Sequence, residues 1–120
     1  MIIESIKFKN WRCFYGEVEI DFSIDDNKNV TLIHGQNGFG KTNILNGFYW
    51  TFFNTTSGKF KDPELLINDQ AKKNGINKAS VEVIFMHGDT SYRAIRIHSD
   101  SKISQDPFKL FTIDGDGNQV

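Results

Sequence analysis

The stretch Gly35-Gln36-Asn37-Gly38-Phe39-Gly40-Lys41-Thr42 constrains this chain more than any other. An apolar run, Val30, Thr31, Leu32 and Ile33, precedes it, and the helix-like Asn43-Ile44-Leu45-Asn46-Gly47-Phe48-Tyr49-Trp50 follows. A buried strand, a glycine loop and a helix in that order predict a phosphate-binding loop. Glycines let the backbone curl until successive N–H groups point at one anion, and the helix behind them brings its positive end to the same place. On this reading Asn37, Gly38, Phe39, Gly40, Lys41, Thr42 and Asn43 contact the nucleotide. Lys41 is the catalytic cation that reaches the β- and γ-phosphates, and the Thr42 hydroxyl is the ligand of the Mg²⁺ bridging them. A charge-assisted N–H contact to phosphate is worth roughly 1.5–3 kcal/mol, so a handful anchors a triphosphate.

Composition sets the limits around that motif. A chain of 120 residues with 38% hydrophobic content supports one core or part of one, and eleven Phe suggest that it is well filled. The formal net charge of −1 excludes broad electrostatic capture of nucleic acid and leaves only a local basic patch for DNA. Cys13 has no second cysteine to pair with, no signal-like segment opens the chain, and no apolar run is long enough to span a bilayer. A cytoplasmic chain without a membrane partner is expected. In that setting Asn54-Thr55-Thr56 is read as loop residues rather than a glycosylation site.

Alternation of apolar and polar residues predicts a strand from Ile2 to Lys9, with Ile2, Ile6 and Phe8 on the buried side and Glu4 a misfit there. A loop over 10–16 leads to a second strand in which Val18, Ile20 and Phe22 share a face, giving an antiparallel pair. Residues 30–33 are apolar on both faces, which predicts a central strand in a covered sheet. The helix is expected over 41–53, largely buried, with Ile44, Leu45, Phe48 and Phe52 toward the sheet; Gly47 within it implies close approach to a neighbouring backbone. Asp62 and Pro63 resemble an N-cap and first helical residue, predicting a second helix over 63–73 that stops at Gly75. Lys59, Lys61, Lys72, Lys73 and Lys78 read as a solvated face. A hairpin follows, with Val81, Val83 and Phe85 on one strand, a turn at His87-Gly88-Asp89-Thr90, and a return through Tyr92 to Ile97. A last strand around Phe108 to Ile113 ends in the turn Asp114-Gly115-Asp116-Gly117-Asn118. That turn opens like a calcium loop but has no room for the downstream glutamate. His34, His87 and His98 lack partners at metal-ligand spacing.

Ile6-Lys7-Phe8-Lys9-Asn10-Trp11-Arg12, the loop with its additional Gly38, the helix ending in Tyr49-Trp50, and the hairpin between Val81 and Ile97 together resemble the N-terminal head lobe of the structural-maintenance-of-chromosomes and RecF/RecN ATPases. Within that group the chain looks most similar to coiled-coil repair ATPases and to DndD-like or Lamassu-type ATPases of DNA modification and phage defence. Phe39 departs from the pattern, which usually has a small residue there. The resemblance implies an α/β fold, a P-loop NTPase of the ABC/SMC head type, with a mixed sheet flanked by antiparallel strands. It implies that residues 1–120 are the N-terminal lobe only. It also implies ATP with Mg²⁺ as ligands, Arg12 beside the phosphates, and Phe14 and Tyr15 near the base. The partners it implies are a C-terminal head lobe carrying the signature sequence and the acidic pair, a second head in a homodimer, and DNA for the full protein.

Two other readings compete. A self-sufficient P-loop ATPase would use Val83 to Met86 as its acidic strand and Asp89 as the magnesium carboxylate, but Asp89 sits past the strand, inside a turn. Alternatively, the chain is a non-catalytic nucleotide-binding interaction module. Residues 77–80 lack the aspartate that would hold guanine, so ATP is expected as the nucleotide. With no residue placed to polarise water, the chain alone is expected to be inactive as an ATPase.

Overall fold

A computed structural model describes residues 1–34, 40–55, 66–99 and 107–120. Five strands form one sheet: β1 (Ile2–Lys9), β2 (Glu17–Asp21), β3 (Lys78–His87), β4 (Thr90–Ser99) and β5 (Phe108–Ile113). Their order is β2-β1-β3-β4-β5 and every neighbouring pair is antiparallel. Helix α1 (Lys41–Phe53) packs on one face, and a short helix α2 (Asp69–Lys73) lies between α1 and β3 in the chain. The α/β class therefore stands, while the mixed sheet becomes an antiparallel one among the described residues.

The correction comes from residues 30–33. They form no strand, and Val30, Leu32 and Ile33 are 84%, 73% and 40% exposed. A strand apolar on both faces is stable only in a slot covered from both sides. The five-stranded sheet offers no such slot: its inner face is already taken by α1, and its two edges belong to β2 and β5.

In β1 a register shift between Ile3 and Ser5 resolves the Glu4 misfit. Glu4 is the extra residue of a bulge, so alternation restarts after it. Ile3, paired with Phe85, turns toward the core, while Ile2, paired with Met86, is 48% exposed; Ile2 had been expected on the buried side. Ile6 and Phe8 are buried as the pattern predicts, and Val18, Ile20 and Phe22 share a half-buried face.

Helix α1 has the expected bounds but a different inner face. Asn46, Gly47, Trp50 and Thr51 are buried, Ile44, Phe48 and Phe52 are half-buried, and Leu45, expected inside, is 55% exposed. The buried polar residues are tied in. The Thr51 hydroxyl donates to the Gly47 carbonyl (2.7 Å), and Arg96 Nε on β4 donates to the Thr51 carbonyl (3.1 Å). Asn54 closes the helix in the left-handed region (φ 55°), its N–H donating to the Trp50 carbonyl at 2.9 Å.

The second helix is shorter than expected. Ile67 is extended, bridging Trp11, and the cap is Asn68, whose side chain accepts from the N–H groups of Gln70 and Ala71. Leu66 and Ile67 are buried beside the 10–16 loop rather than wound into the helix, while the Asp62 and Pro63 signal lies outside the described residues. Gly75 does follow the helix end, at φ 81°. The hairpin turn is two residues long, Gly88 and Asp89, with His87 opposite Thr90. Asp114 Oδ1 is used by its own turn, accepting from the N–H groups of Asp116 and Asn118.

Candidate functional site

At the N-terminus of α1, Gly40 has φ 97° and offers no side-chain cap to the helix. The first turn holds no acid, and Lys41 and Thr42 are exposed. An uncapped first turn leaves backbone N–H groups and the positive end of the helix dipole available to an anion. A nucleotide's phosphates fit such an end, and the conformation of Gly40 supports the fit. A Cβ there would be both in the left-handed region and 3.2 Å from Cys13 Sγ and 3.7 Å from Phe14 Cζ. Asn43, next in the turn, has its Oδ1 buried without a hydrogen-bond partner among the described residues. Asn37, Gly38 and Phe39 lie outside them.

The same contacts bring the 10–16 loop against the helix start. Arg12 is 8% exposed, so it is not a surface arginine, and its guanidinium lies 5.2 Å from the centroid of the Trp11 ring. Burial lowers its pKa from the ordinary value, with Cys13 acting in the opposite sense. Trp11 is fully buried, within 5.5 Å of the Phe8 ring and 5.8 Å of Trp50 on α1. A continuous aromatic layer thus joins β1, the arginine loop and the helix. Phe14 stacks on Phe8 at 4.3 Å, which makes it part of that layer. Tyr15 is half exposed, and its hydroxyl accepts from Asn74 Nδ2 at 2.7 Å.

The loop's backbone is held closely. Asn10 exchanges hydrogen bonds with Gly16: its N–H donates to the Gly16 carbonyl and its Oδ1 accepts from the Gly16 N–H, both at 2.8 Å. Arg12 N–H donates to the Leu66 carbonyl (2.8 Å), and Asn68 N–H to the Asn10 carbonyl (2.8 Å). The sequence reading missed Asn68. Its signal was present, since an asparagine followed by Asp69-Gln70-Ala71-Lys72-Lys73 is a capping pattern, but the Asp62-Pro63 pair drew the helix start upstream.

The magnesium strand of the self-sufficient reading is not found. β3 is antiparallel to both of its neighbours and Asp89 lies in the exposed hairpin turn. Among the described residues, no three His, Cys, Asp or Glu side chains group as metal ligands, and no helix is long and apolar enough to cross a membrane.

An AAA domain family, AAA_23, matches residues 5–119. The chain belongs to this family. Within it the chain is similar to proteins of the SMC and RecF type. It is 32% identical over 93 residues to a DNA replication and repair protein RecF of Agathobacter rectalis, covering 78% of this chain and 23% of that protein. It is 31% identical over 88 residues to a chromosome partition protein Smc of Fusobacterium nucleatum, covering 73% of this chain and 6% of that one. The chain therefore spans under a quarter of either relative. Its fold matches a solved chain from a study of ATP-driven dimerisation and DNA-stimulated activation of SMC ATPases, with a TM-score of 0.69 at 21% identity, over 92% of this chain and 69% of the other. Membership of AAA_23 implies nucleotide binding, generally with Mg²⁺.

Proposed function

We propose that residues 1–120 are the ATP-binding N-terminal lobe of an SMC-like, DNA-associated ATPase of the cytoplasm, acting in DNA repair, DNA modification or phage defence. The observation that carries the reading is the start of α1. An uncapped, acid-free first turn opens from a left-handed Gly40, with Lys41 and Thr42 exposed and the Arg12 loop in contact. Asn37 to Asn43 hold the phosphates, Lys41 neutralises charge on the terminal phosphates, and Thr42 is the Mg²⁺ ligand. When bound, the metal stabilises negative charge on the phosphates and orients them. Arg12 adds a cation from the adjoining loop. Being buried and stacked on Trp11, it keeps its position without losing side-chain freedom on binding.

The remainder of the site comes from elsewhere. β3 is antiparallel to both of its neighbours, the Asp89 beyond it lies in an exposed turn, and no three His, Cys, Asp or Glu side chains group as metal ligands among the described residues. This supports a C-terminal lobe and a second head as the source of the signature and acidic residues. Exposed apolar surface supports that reading. Leu45, Tyr49 and Phe53 recur every four residues along one stripe of α1 at 55%, 46% and 71% exposure, and Val30, Leu32 and Ile33 are also open. Contiguous apolar exposure of this kind marks a surface that is covered in the assembled molecule.

The test is calorimetric titration of ATP with Mg²⁺ into the wild-type chain and Lys41→Ala. The variant is expected to bind at least tenfold more weakly, the scale of one charge-assisted phosphate contact. Equal affinities would remove the phosphate-loop assignment.

A further inference from the structure

Arg12 lies in a loop whose backbone is unfavourable on its own. Asn10 and Arg12 both occupy the left-handed region, at φ 50° and 51°. Asparagine tolerates that region, but a long side chain such as arginine adopts it at a cost, and it persists only where neighbours over-determine it. Beside the Leu66 carbonyl and the Asn10–Gly16 pair, a neighbour that does so with its side chain is Asn68, 56 residues beyond Arg12 and 8% exposed. Its Nδ2 donates to the Arg12 carbonyl at 2.8 Å, and its N–H to the Asn10 carbonyl at 2.8 Å. Its Oδ1 accepts from the N–H groups of Gln70 (3.0 Å) and Ala71 (3.1 Å), which caps α2.

Capping alone does not explain an asparagine here. Aspartate and serine cap as well, but a carboxylate has no N–H for the Arg12 carbonyl, and a serine hydroxyl is too short to serve both sides. The side-chain amide is the one group that gives an acceptor to the helix and a donor to the loop. We infer that Asn68 is a positioning residue for Arg12, fixing the left-handed loop so that a nucleotide meets an arginine already in place. The inference rests on the nucleotide reading above and adds to it the residue that prepares the site. α2 then has a role beyond packing: it anchors the amide from one side while the arginine loop hangs from the other.

Asn68→Ser separates the two functions, because serine keeps the cap. Without nucleotide, hydrogen exchange of the Arg12 and Phe14 amides should accelerate at least tenfold in the variant, while amides in the β3–β4 ladder keep their rates. With nucleotide, ATP affinity should fall by roughly three- to tenfold, the scale of one hydrogen bond. In an Arg12→Ala background the same substitution should change affinity no further, since its effect passes through Arg12. Unchanged exchange at Arg12, or a loss of affinity that persists undiminished in the Arg12→Ala background, would overturn the inference. If the wild-type chain failed to bind ATP at all, the nucleotide reading would fall, and the exchange measurement would still decide whether Asn68 holds the loop.

Discussion

At Gly47 a helix propensity and a packing constraint pull in opposite directions. Replacing an interior helical glycine by alanine gains about 1 kcal/mol in propensity. Here, however, the added Cβ would stand 2.5 Å and 2.9 Å from Phe8 Cε1 and Cζ and 3.2 Å from Ile6 Cδ1. Phe8 is fully buried between the Trp11 and Phe14 rings, so its ring cannot swing aside. Overpacking a filled core costs about 1–3 kcal/mol, which outweighs the gain. Gly47→Ala should therefore lower stability by up to about 2 kcal/mol in urea unfolding; a more stable variant would show that the aromatic layer can shift. The sequence made the glycine conspicuous but named the wrong neighbour. A close approach to backbone was expected, and the structure has a side-chain ring there, because the one-dimensional pattern shows that space is short without showing what fills it. Arg12 is the converse case. Its involvement came from a resemblance, and no periodicity could have shown that it is buried over Trp11 or that Asn68 ties it down.

Elements whose partners are adjacent in the chain were legible. The β3–β4 hairpin, the β1–β2 pair and the bounds of α1 follow from alternation, turn chemistry and helical spacing, all of which act within a few residues. Elements whose form depends on distant groups were not. The bulge at Glu4 is fixed by β3, some eighty residues away in sequence, and the extended course of Ile67 by its bridge to Trp11. Residues 30–33 are the sharpest example. Val30, Leu32 and Ile33 have the composition of a buried strand and the exposure of a loop. On the proposed reading a C-terminal lobe would supply the missing neighbours, turn the run into a strand and cover the Leu45, Tyr49 and Phe53 stripe with its own apolar surface. Mixing the chain with that lobe should slow amide exchange at Thr31 to Ile33 by at least tenfold. Leu32→Asp should weaken the association, since a carboxylate would be buried without a partner. Exchange rates that stayed the same in the presence of the lobe would mean that these residues are a plain lead-in to the loop.

Over the whole molecule, the separation of functions follows from the antiparallel sheet. In it β3 runs antiparallel to both of its neighbours and Asp89 lies in an exposed hairpin turn, and among the described residues no three His, Cys, Asp or Glu side chains group as metal ligands. On the proposed reading, a lobe that holds phosphates and takes its cleaving groups from elsewhere would gain them by association, and bound nucleotide would become part of an interface. Linkage then requires that ATP favour the associated form by as much as association favours ATP. A head assembled from this lobe and its C-terminal partner, with the hydrolytic acid removed, should shift from one-head to two-head mass in light scattering when ATP and Mg²⁺ are added. Lys41→Ala in the same head should abolish the shift, because the phosphates would no longer be held where the second head can reach them. DNA should change the ATPase rate of the full protein if it contacts the closed form in preference to the open one. A mass indifferent to ATP, together with a rate indifferent to DNA, would leave a monomeric nucleotide-binding module as the reading that the α1 terminus supports.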